Sequence, residues 1–239
     1  MCIRDSDIGD EPKMLSDSGL DVWVGDRKIS ISKINAAQIK PNAIVMDDGF
    51  QNPNIKKDIS ILVFDENVGI GNGFCLPAGP LREPLWLGAI RCDAIVVVRE
   101  SGLNSQPIKE LCDVKKPVFL AQREATNPGL SGMVVGFAGI GYPKKFFDTL
   151  KNIPKVRLIE SVSFEDHHDY TKEEIVTLFK LAKTHNASLV CTEKDWIKLP
   201  KQIRKKIKFL PIDIRLGNDF WTWIESAIKQ KNQQVFENR

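Results

Sequence analysis

Short apolar runs alternate with segments of helical periodicity along most of the chain. Because both faces of a parallel sheet are covered, its strands are nearly continuous apolar runs. This pattern predicts strands at residues 20–24, 43–46, 58–65, 93–98, 117–121, 133–138, 156–163, 188–191 and 208–214. Helical spacing predicts helices at residues 11–18, 30–39, 86–90, 107–112, 144–151, 171–184 and 219–229. Alternating strands and helices predict an α/β fold with parallel sheets.

The segment 126–132, TNPGLSG, is rich in turn-forming residues and divides this pattern in two. We therefore expect two α/β domains, residues 1–126 and residues 127–239. The first six residues, MCIRDS, show no apolar periodicity and join abruptly to the sequence that follows. We expect them to be foreign to the fold, so that the native sequence begins within the first domain.

Composition narrows the class of protein. Apolar residues make up 42% of the chain and charged residues 27%, as in ordinary soluble globular proteins. The net charge of +3 gives no argument for nucleic-acid binding. Scattered cysteines without a CxxC spacing favour reduced thiols over disulfides or a zinc site. The sequence predicts neither a signal peptide nor a transmembrane helix, because no apolar run in it is long enough.

The predicted strand at residues 43–46 runs directly into Asp47 and Asp48, followed by Gly49. Ligands of open α/β sheets bind beyond the carboxyl ends of the strands. Mg²⁺ is held by one or two carboxylates together with substrate phosphates, and P-loop enzymes use a strand-end aspartate for this purpose. The stretch therefore predicts a magnesium site, although a metal-free Asp-Gly turn explains the same residues equally well.

Three further stretches carry candidate polar residues. In GDEP, Asp10 stands before a predicted helix and serves either as a cap or as a carboxylate base. In the Gly- and Pro-rich loop 69–84, Arg82 and Glu83 form either a phosphate-binding fork or a surface ion pair. In EDHHDY, an acid precedes His167 and can raise its basicity. The alternative for this third stretch is a polar loop before a capped helix.

The chain lacks the phosphate loop of P-loop kinases. Residues 137–141, FAGIG, resemble a Gly-rich phosphate turn, but GxxxxGK[ST] occurs nowhere in the sequence. Lys194 in TEKD is either a phosphate ligand or part of a solvated face. The missing motif is the main argument against a kinase.

Seven motifs follow one another along the chain: GDEP, VWVGDR, DDGFQNP, GIGNGFCLPAGPLREP, FAGIGYPKKFF, FEDHHDYT and TEKDWIKL. In this order they resemble the tetraacyldisaccharide 4′-kinase, or lipid A 4′-kinase, family. The resemblance implies a P-loop-kinase-like parallel-sheet domain, incomplete at its N-terminus, joined to a smaller second α/β domain, with the site in the cleft between them. It implies ATP and Mg²⁺ as cofactors and a lipid A disaccharide precursor, phosphorylated on its 4′-hydroxyl, as substrate. It also implies a peripheral protein at the cytoplasmic face of the bacterial inner membrane.

The resemblance further implies roles for individual residues. Asp10 and His167 would form a catalytic pair that activates the sugar hydroxyl. The other implied site residues are Asp47 for the metal, Asp48 and Gln51 for the nucleotide, and Arg27, Arg82 and Glu83 for the lipid saccharide.

The chain departs from the family pattern in two ways. Asn52 stands where many members have His, and the N-terminal portion of the family, with a membrane-associating helix and a GGTGKT-type phosphate loop, is not in this sequence. We therefore expect a kinase fragment that does not turn over alone and that exposes a sheet edge. Two alternatives remain open: a non-catalytic module that binds acylated saccharide or a protein partner, and a metal-dependent sugar-modifying enzyme that uses Asp47 and Asp48 without ATP.

Overall fold

The structure is a computed structural model that describes residues 10–24, 34, 36, 41–100, 108–126 and 129–237. Its strands are β1 (Ile61–Asp65), β2 (Ala94–Glu100), β3 (Val118–Ala125), β4 (Gly132–Ala138), β5 (Val156–Ser163), β6 (Ser188–Thr192), β7 (Lys208–Leu210) and β8 (Ile212–Leu216). Its α-helices are α1 (Asp10–Asp17), α2 (Leu85–Arg91), α3 (Pro143–Asn152), α4 (Lys172–Thr184), α5 (Glu193–Lys198), α6 (Lys201–Arg204) and α7 (Asn218–Glu237). A short 3₁₀ helix covers Lys109–Leu111. Within these ranges, no helix combines the length and the apolar character needed to cross a bilayer.

The first sheet has the strand order β1-β2-β3-β8, and β1, β2 and β3 are parallel. Strand β2 is a continuous apolar run because both of its faces are buried. Val96 and Val98 pack in one cluster with Phe220 of α7, while Ile95 and Val97 pack in a second cluster on the opposite face. Strand β1 lies at the edge of this sheet among the described strands.

The second sheet has the order β5-β4-β6-β7, and its neighbouring strands are all parallel. Helix α3 covers one face, where Leu150 packs with Val134, and helix α4 covers the other, where Leu178 packs with Val135. The mixed α/β architecture with parallel sheets confirms the predicted fold class.

The chain forms two compact units that are not contiguous in sequence. The first unit comprises Asn42–Glu124 and Asp213–Arg239, and the second unit comprises Met1–Pro41 and Ala125–Ile212. The prediction of two contiguous domains, 1–126 and 127–239, therefore differs at both terminal segments. Helix α7 buries Phe220 against Phe119 of the first sheet, and α1 lies against α5 of the second unit. These contacts, rather than position along the chain, decide which unit each segment joins.

The strand predicted at residues 43–46 is wrong. Ile44 and Val45 are 59% and 95% exposed, and the segment has no strand structure. A strand needs a neighbour for its backbone N–H and C=O groups, and no described segment pairs with this one. The strand predicted at residues 20–24 is absent for the same reason. The helix predicted at residues 30–39 and the segment MCIRDS lie largely or wholly outside the described residues.

The strand predicted at residues 208–214 is two strands in two sheets. Strand β7 ends at Leu210 in the second sheet and β8 begins at Ile212 in the first. Pro211 separates them because proline has no N–H to donate to a ladder.

Replacing Phe220 by alanine tests the assignment of α7 to the first sheet. Phe220 is 6% exposed, and its ring contacts Phe119 and Trp223. Phe220→Ala should lower the free energy of unfolding by about 3–5 kcal/mol, because it leaves a cavity in a closed core. Ile228→Ala on the same helix, where the side chain is 46% exposed, should cost less than about 1 kcal/mol. Urea denaturation measures both variants, and equal losses would contradict the assignment.

Candidate active site

The turn that follows residue 46 has a constrained backbone. The ammonium group of Lys57 donates to the carbonyl oxygens of Gly49 and Asn52, and the N–H of Asn52 donates to the same Gly49 oxygen at 3.1 Å. Asp48 has a left-handed φ of 50°, which is strained for a residue with a Cβ. A Cβ at Gly49 would lie 2.6 Å from the Cβ of Met46, so glycine is needed at this position. The turn thus holds its two aspartates on a fixed backbone.

Asn52 is the buried member of this turn, with 4% of its surface exposed. Its Oδ1 accepts a hydrogen bond from the N–H of Asn54 at 3.0 Å. In this chain the position therefore stabilises the turn.

Side-chain contacts join the turn to the loop at residues 82–83. The Arg82 guanidinium contacts Asp48 Oδ2 at 2.9 Å, and Gln51 Nε2 donates to Glu83 Oε1 at 3.1 Å. Glu83 also pairs with Arg91 of α2. Each of the two residues expected at the nucleotide, Asp48 and Gln51, therefore contacts one of the residues expected at the saccharide. Because Arg82 and Asp48 have side chains 55% and 76% exposed, their ion pair contributes only about 0–1 kcal/mol and can be exchanged for a ligand.

Asp47 is exposed and makes no hydrogen bond or ion pair with another described residue. No group of three or more His, Cys, Asp or Glu side chains in the described part of the chain could hold a metal. The chemistry of the two carboxylates nevertheless fits Mg²⁺, which takes one or two carboxylates and completes its shell with phosphate oxygens and water.

The loop at residues 69–84 is closed on itself by Asn72. The side chain of Asn72 donates to the carbonyl of Ala78 at 2.8 Å and accepts from the N–H of Phe74 at 3.2 Å. A Cβ on Gly79 would lie 2.1 Å from Asn72 Oδ1, so only glycine fits there. The long loop predicted from the sequence is confirmed, and its backbone is fixed by local hydrogen bonds.

The carboxylate that ends β1 takes part in an ion-pair network. Arg123 Nη1 lies 3.1 Å from Asp65 Oδ2 and 3.2 Å from Glu100 Oε1, at the carboxyl ends of three neighbouring strands. One guanidinium thus contacts two carboxylates and offsets part of their charge within the fold.

In the second unit, Asp195 is a fully buried carboxylate surrounded by donors. Its oxygens accept the N–H of Gly139 at 3.1 and 3.2 Å, the hydroxyl of Tyr170 at 2.8 Å and the hydroxyl of Thr192 at 2.6 Å. The N–H of Asp195 in turn donates to Thr192 Oγ1, which caps α5. Three donors from separate segments satisfy the charge, as a buried carboxylate requires.

Asp195 also controls the ionisation of its neighbours. Burial, followed by the Asp195 charge and hydrogen bond, raises the pKa of Tyr170 far above its usual value. Burial and then the same charge raise the pKa of the Cys191 thiol. Tyr170 therefore remains a neutral hydrogen-bond donor, and Cys191 remains a protonated thiol within the core.

His167 lies on the loop between β5 and α4. Its backbone has a left-handed φ of 59°, and its N–H donates to Gly139 O at 3.2 Å and to Asp166 Oδ1 at 3.0 Å. The imidazole is 63% exposed, and its Nε2 lies 4.0 Å from Asp166 Oδ1. The Asp166 carboxylate thus lies beside an accessible imidazole.

His168, the second histidine of the pair, has a different environment. Its ring stacks on Phe164 with centroids 4.8 Å apart, and its Nε2 lies 3.0 Å from Glu174 Oε2. Glu174 also accepts the N–H and hydroxyl of Thr171, completing the predicted capping box of α4. The Thr171 N–H, the His168 ring and the Thr171 hydroxyl lower the pKa of Glu174 to about 2.

Some site residues lie outside these contacts. Asp10 begins α1, but its side chain is not among those described, and Arg27 lies outside the described residues. Sequence reasoning noticed TEKD and singled out Lys194, but it missed Asp195 and Tyr170. The available signal was the capping pattern from Thr192 to Asp195. The resemblance of FAGIG to a phosphate-binding turn is also weaker than the sequence indicated, because the N–H of Gly139 already donates to Asp195.

The sequence model of the family described as tetraacyldisaccharide-1-P 4′-kinase matches residues 3–229. The tetraacyldisaccharide 4′-kinase of Maricaulis maris is 37% identical over 215 residues, which are 89% of this chain and 62% of that protein. The protein of the same name from Gluconobacter oxydans is 39% identical over 87% of this chain and 63% of its own length. The chain spans about three fifths of the length of these curated relatives.

One solved structure shares the fold. It is described as the "apo" form of LpxK from Aquifex aeolicus in complex with ATP, and it superimposes with a TM-score of 0.68 at 24% identity. The match covers 93% of this chain and 69% of that one.

Replacing Glu174 by glutamine should reveal the depressed pKa as a pH-dependent stability. A carboxylate whose folded-state pKa is about 2 rather than 4.5 stabilises the fold above about pH 4.5, and this contribution is lost as the pH falls towards 2. The difference in melting temperature between the unsubstituted chain and Glu174→Gln should therefore be larger at pH 5 than at pH 3.

Glu173→Gln is the matched control, because Glu173 lies in the same helical turn but is exposed and its carboxylate bonds to no described residue. The difference in melting temperature between the unsubstituted chain and Glu173→Gln should be nearly the same at pH 5 and at pH 3. If the difference in melting temperature from the unsubstituted chain shrinks equally between pH 5 and pH 3 for both variants, the hydrogen bonds of Glu174 to Thr171 and His168 do not cause the pH dependence.

Proposed function

The chain belongs to the tetraacyldisaccharide-1-P 4′-kinase family, and from this premise we propose that it serves to transfer the γ-phosphate of ATP to the 4′-hydroxyl of a tetraacyl disaccharide 1-phosphate, a precursor of lipid A. The observation that carries the proposal is the family match over residues 3–229. Identities of 37% and 39% with the two relatives named above support it. We place the reaction at the cytoplasmic face of the inner membrane, where such a substrate would be presented to a peripheral protein.

The turn at residues 47–51 supplies the proposed nucleotide side. Asp47, exposed on a fixed backbone, would hold Mg²⁺, and Asp48 and Gln51 would lie near the nucleotide. The metal ion, when bound, neutralises charge on the transferred phosphate. The Asp48–Arg82 ion pair is weak enough for a phosphate to replace Asp48 as the partner of the guanidinium.

The proposed saccharide side consists of Arg82, Glu83 and Arg27. Arg82 offers a two-pronged donor for a phosphate or carboxylate, and Glu83 is held in place by Gln51 and Arg91.

In the proposed mechanism the carboxylate of Asp10, paired with His167, activates the sugar hydroxyl, and the pair takes up its single proton. The accessible imidazole of His167 beside Asp166 supports this role. Phosphoryl transfer relies on positioning and charge neutralisation, so a loop that holds one member of this pair in a fixed place suits the reaction.

Activity should require a phosphate loop in addition to the residues of this sequence, because GxxxxGK[ST] does not occur in it. We expect no phosphorylation of a tetraacyl disaccharide 1-phosphate by the chain alone with ATP and Mg²⁺. The chain preceded by the N-terminal region of the Maricaulis maris kinase should be active, and Asp10→Ala in that protein should abolish the activity. Transfer of labelled γ-phosphate to the lipid measures all three.

Activity of the chain alone would show that the phosphate loop is dispensable. If no protein is active while the chain still binds the disaccharide, a saccharide-binding module replaces the kinase as the better proposal.

Asp47→Asn in the active protein should lower the rate at low Mg²⁺ by about tenfold to 100-fold, with partial recovery as Mg²⁺ is raised, because one anionic ligand is lost. Asp58→Asn is the matched control, since Asp58 is an exposed aspartate of the same unit outside the proposed site. Rates measured across a Mg²⁺ titration check both variants. A rate for Asp47→Asn that does not depend on Mg²⁺ would exclude Asp47 as the ligand.

A further inference from the structure

The buried carboxylate of Asp195 is connected to His167 through a single residue. The N–H of Gly139 donates to Asp195 at 3.1 Å, and the carbonyl of the same Gly139 accepts the N–H of His167 at 3.2 Å. Gly139 follows directly after β4, so this link runs from the end of a central strand to the loop. A Cβ at Gly139 would lie 3.0 Å from the Cβ of His168 and 3.2 Å from Asp195 Oδ1. The close approach therefore favours glycine.

A second connection comes from the other end of the loop. Tyr170 donates its hydroxyl to Asp195 at 2.8 Å. Its ring contacts the rings of Phe164 and His168 edge-on, with centroids 5.1 Å away in each case. The loop begins at Phe164, whose N–H donates to Ala138 O at 2.9 Å. The loop is therefore held at its start by a strand and at its end by the Asp195 carboxylate.

We propose that Asp195 and Tyr170 are positioning residues for His167. The carboxylate holds Gly139 and Tyr170, and these two hold the loop so that His167 keeps its left-handed backbone and presents its imidazole in one direction. The physical reason is that a left-handed histidine persists only where surrounding contacts determine it. The consequence for catalysis rests on the proposed function, in which His167 is paired with Asp10 to activate the sugar hydroxyl. Neither positioning residue touches the substrate.

Two isosteric variants separate positioning from general stabilisation. Tyr170→Phe and Thr192→Val each remove one hydroxyl that donates to Asp195. Only Tyr170 belongs to the connection with the His167 loop, because Thr192 ends β6 and caps α5. Both variants should lower the melting temperature, since each leaves the carboxylate with one donor fewer.

The first readout is amide hydrogen exchange at His167 in the chain itself. Exchange of the His167 amide should become about tenfold faster in Tyr170→Phe, relative to the core amides of β4. The reason is that the hydrogen bond from the His167 N–H to the Gly139 carbonyl weakens. In Thr192→Val it should stay within about twofold of the unsubstituted chain. Equal acceleration in both variants, or none in Tyr170→Phe, would overturn the proposal. If Asp195→Asn folds, it should accelerate exchange at His167 more than Tyr170→Phe does. If it does not fold, Tyr170→Phe alone tests the proposal.

The second readout uses the chain preceded by the N-terminal region of the Maricaulis maris kinase. Tyr170→Phe should lower kcat about tenfold while KM for ATP changes less than about twofold, and Thr192→Val should leave kcat nearly unchanged. An unchanged kcat in Tyr170→Phe would overturn the catalytic consequence. If the unsubstituted protein with this N-terminal region is inactive, the proposed function fails, while the exchange experiment still decides whether Asp195 and Tyr170 position His167.

Discussion

A carboxylate can remain in a protein interior only where donors replace its lost water. Asp195 meets this requirement with one backbone amide and two hydroxyls, each from a different segment. Meeting it brings the end of β4, the junction of β6 and α5, and the loop before α4 to one point. Because parallel strands deliver their carboxyl ends to the same edge of a sheet, this point lies at the carboxyl edge of the second sheet, next to the loop that carries His167.

The two groups of candidate residues differ in physical character. Around Asp48 the contacts are exposed ion pairs, which solvent screens and which a charged ligand can exchange. Around Asp195 the contacts are buried, and three donors together satisfy one carboxylate. Exposed ion pairs can change partners at little cost in free energy, whereas a buried network keeps its groups in one orientation.

The sequence predicted those features that depend on local or repeated patterns. Strand β5 has the predicted bounds, and the Thr171–Glu174 capping box forms as expected, because caps and apolar runs are decided within a few residues. The failures depend on distant partners. Residues 43–46 have the composition of a strand but no described neighbour, and Pro211 divides one apolar run between two sheets. Asp195 was missed since nothing in TEKD shows that Gly139 and Tyr170 converge on it.

The discontinuous units have a consequence for synthesis on the ribosome. The strands of the second sheet are all present once Leu210 has emerged, but the first sheet buries Phe119 only when α7 supplies Phe220 and Trp223. The unit whose first strand, β1, is made earliest therefore completes its core last. Until then an apolar sheet face is open to solvent, where nascent chains are most prone to mispairing and most in need of a chaperone.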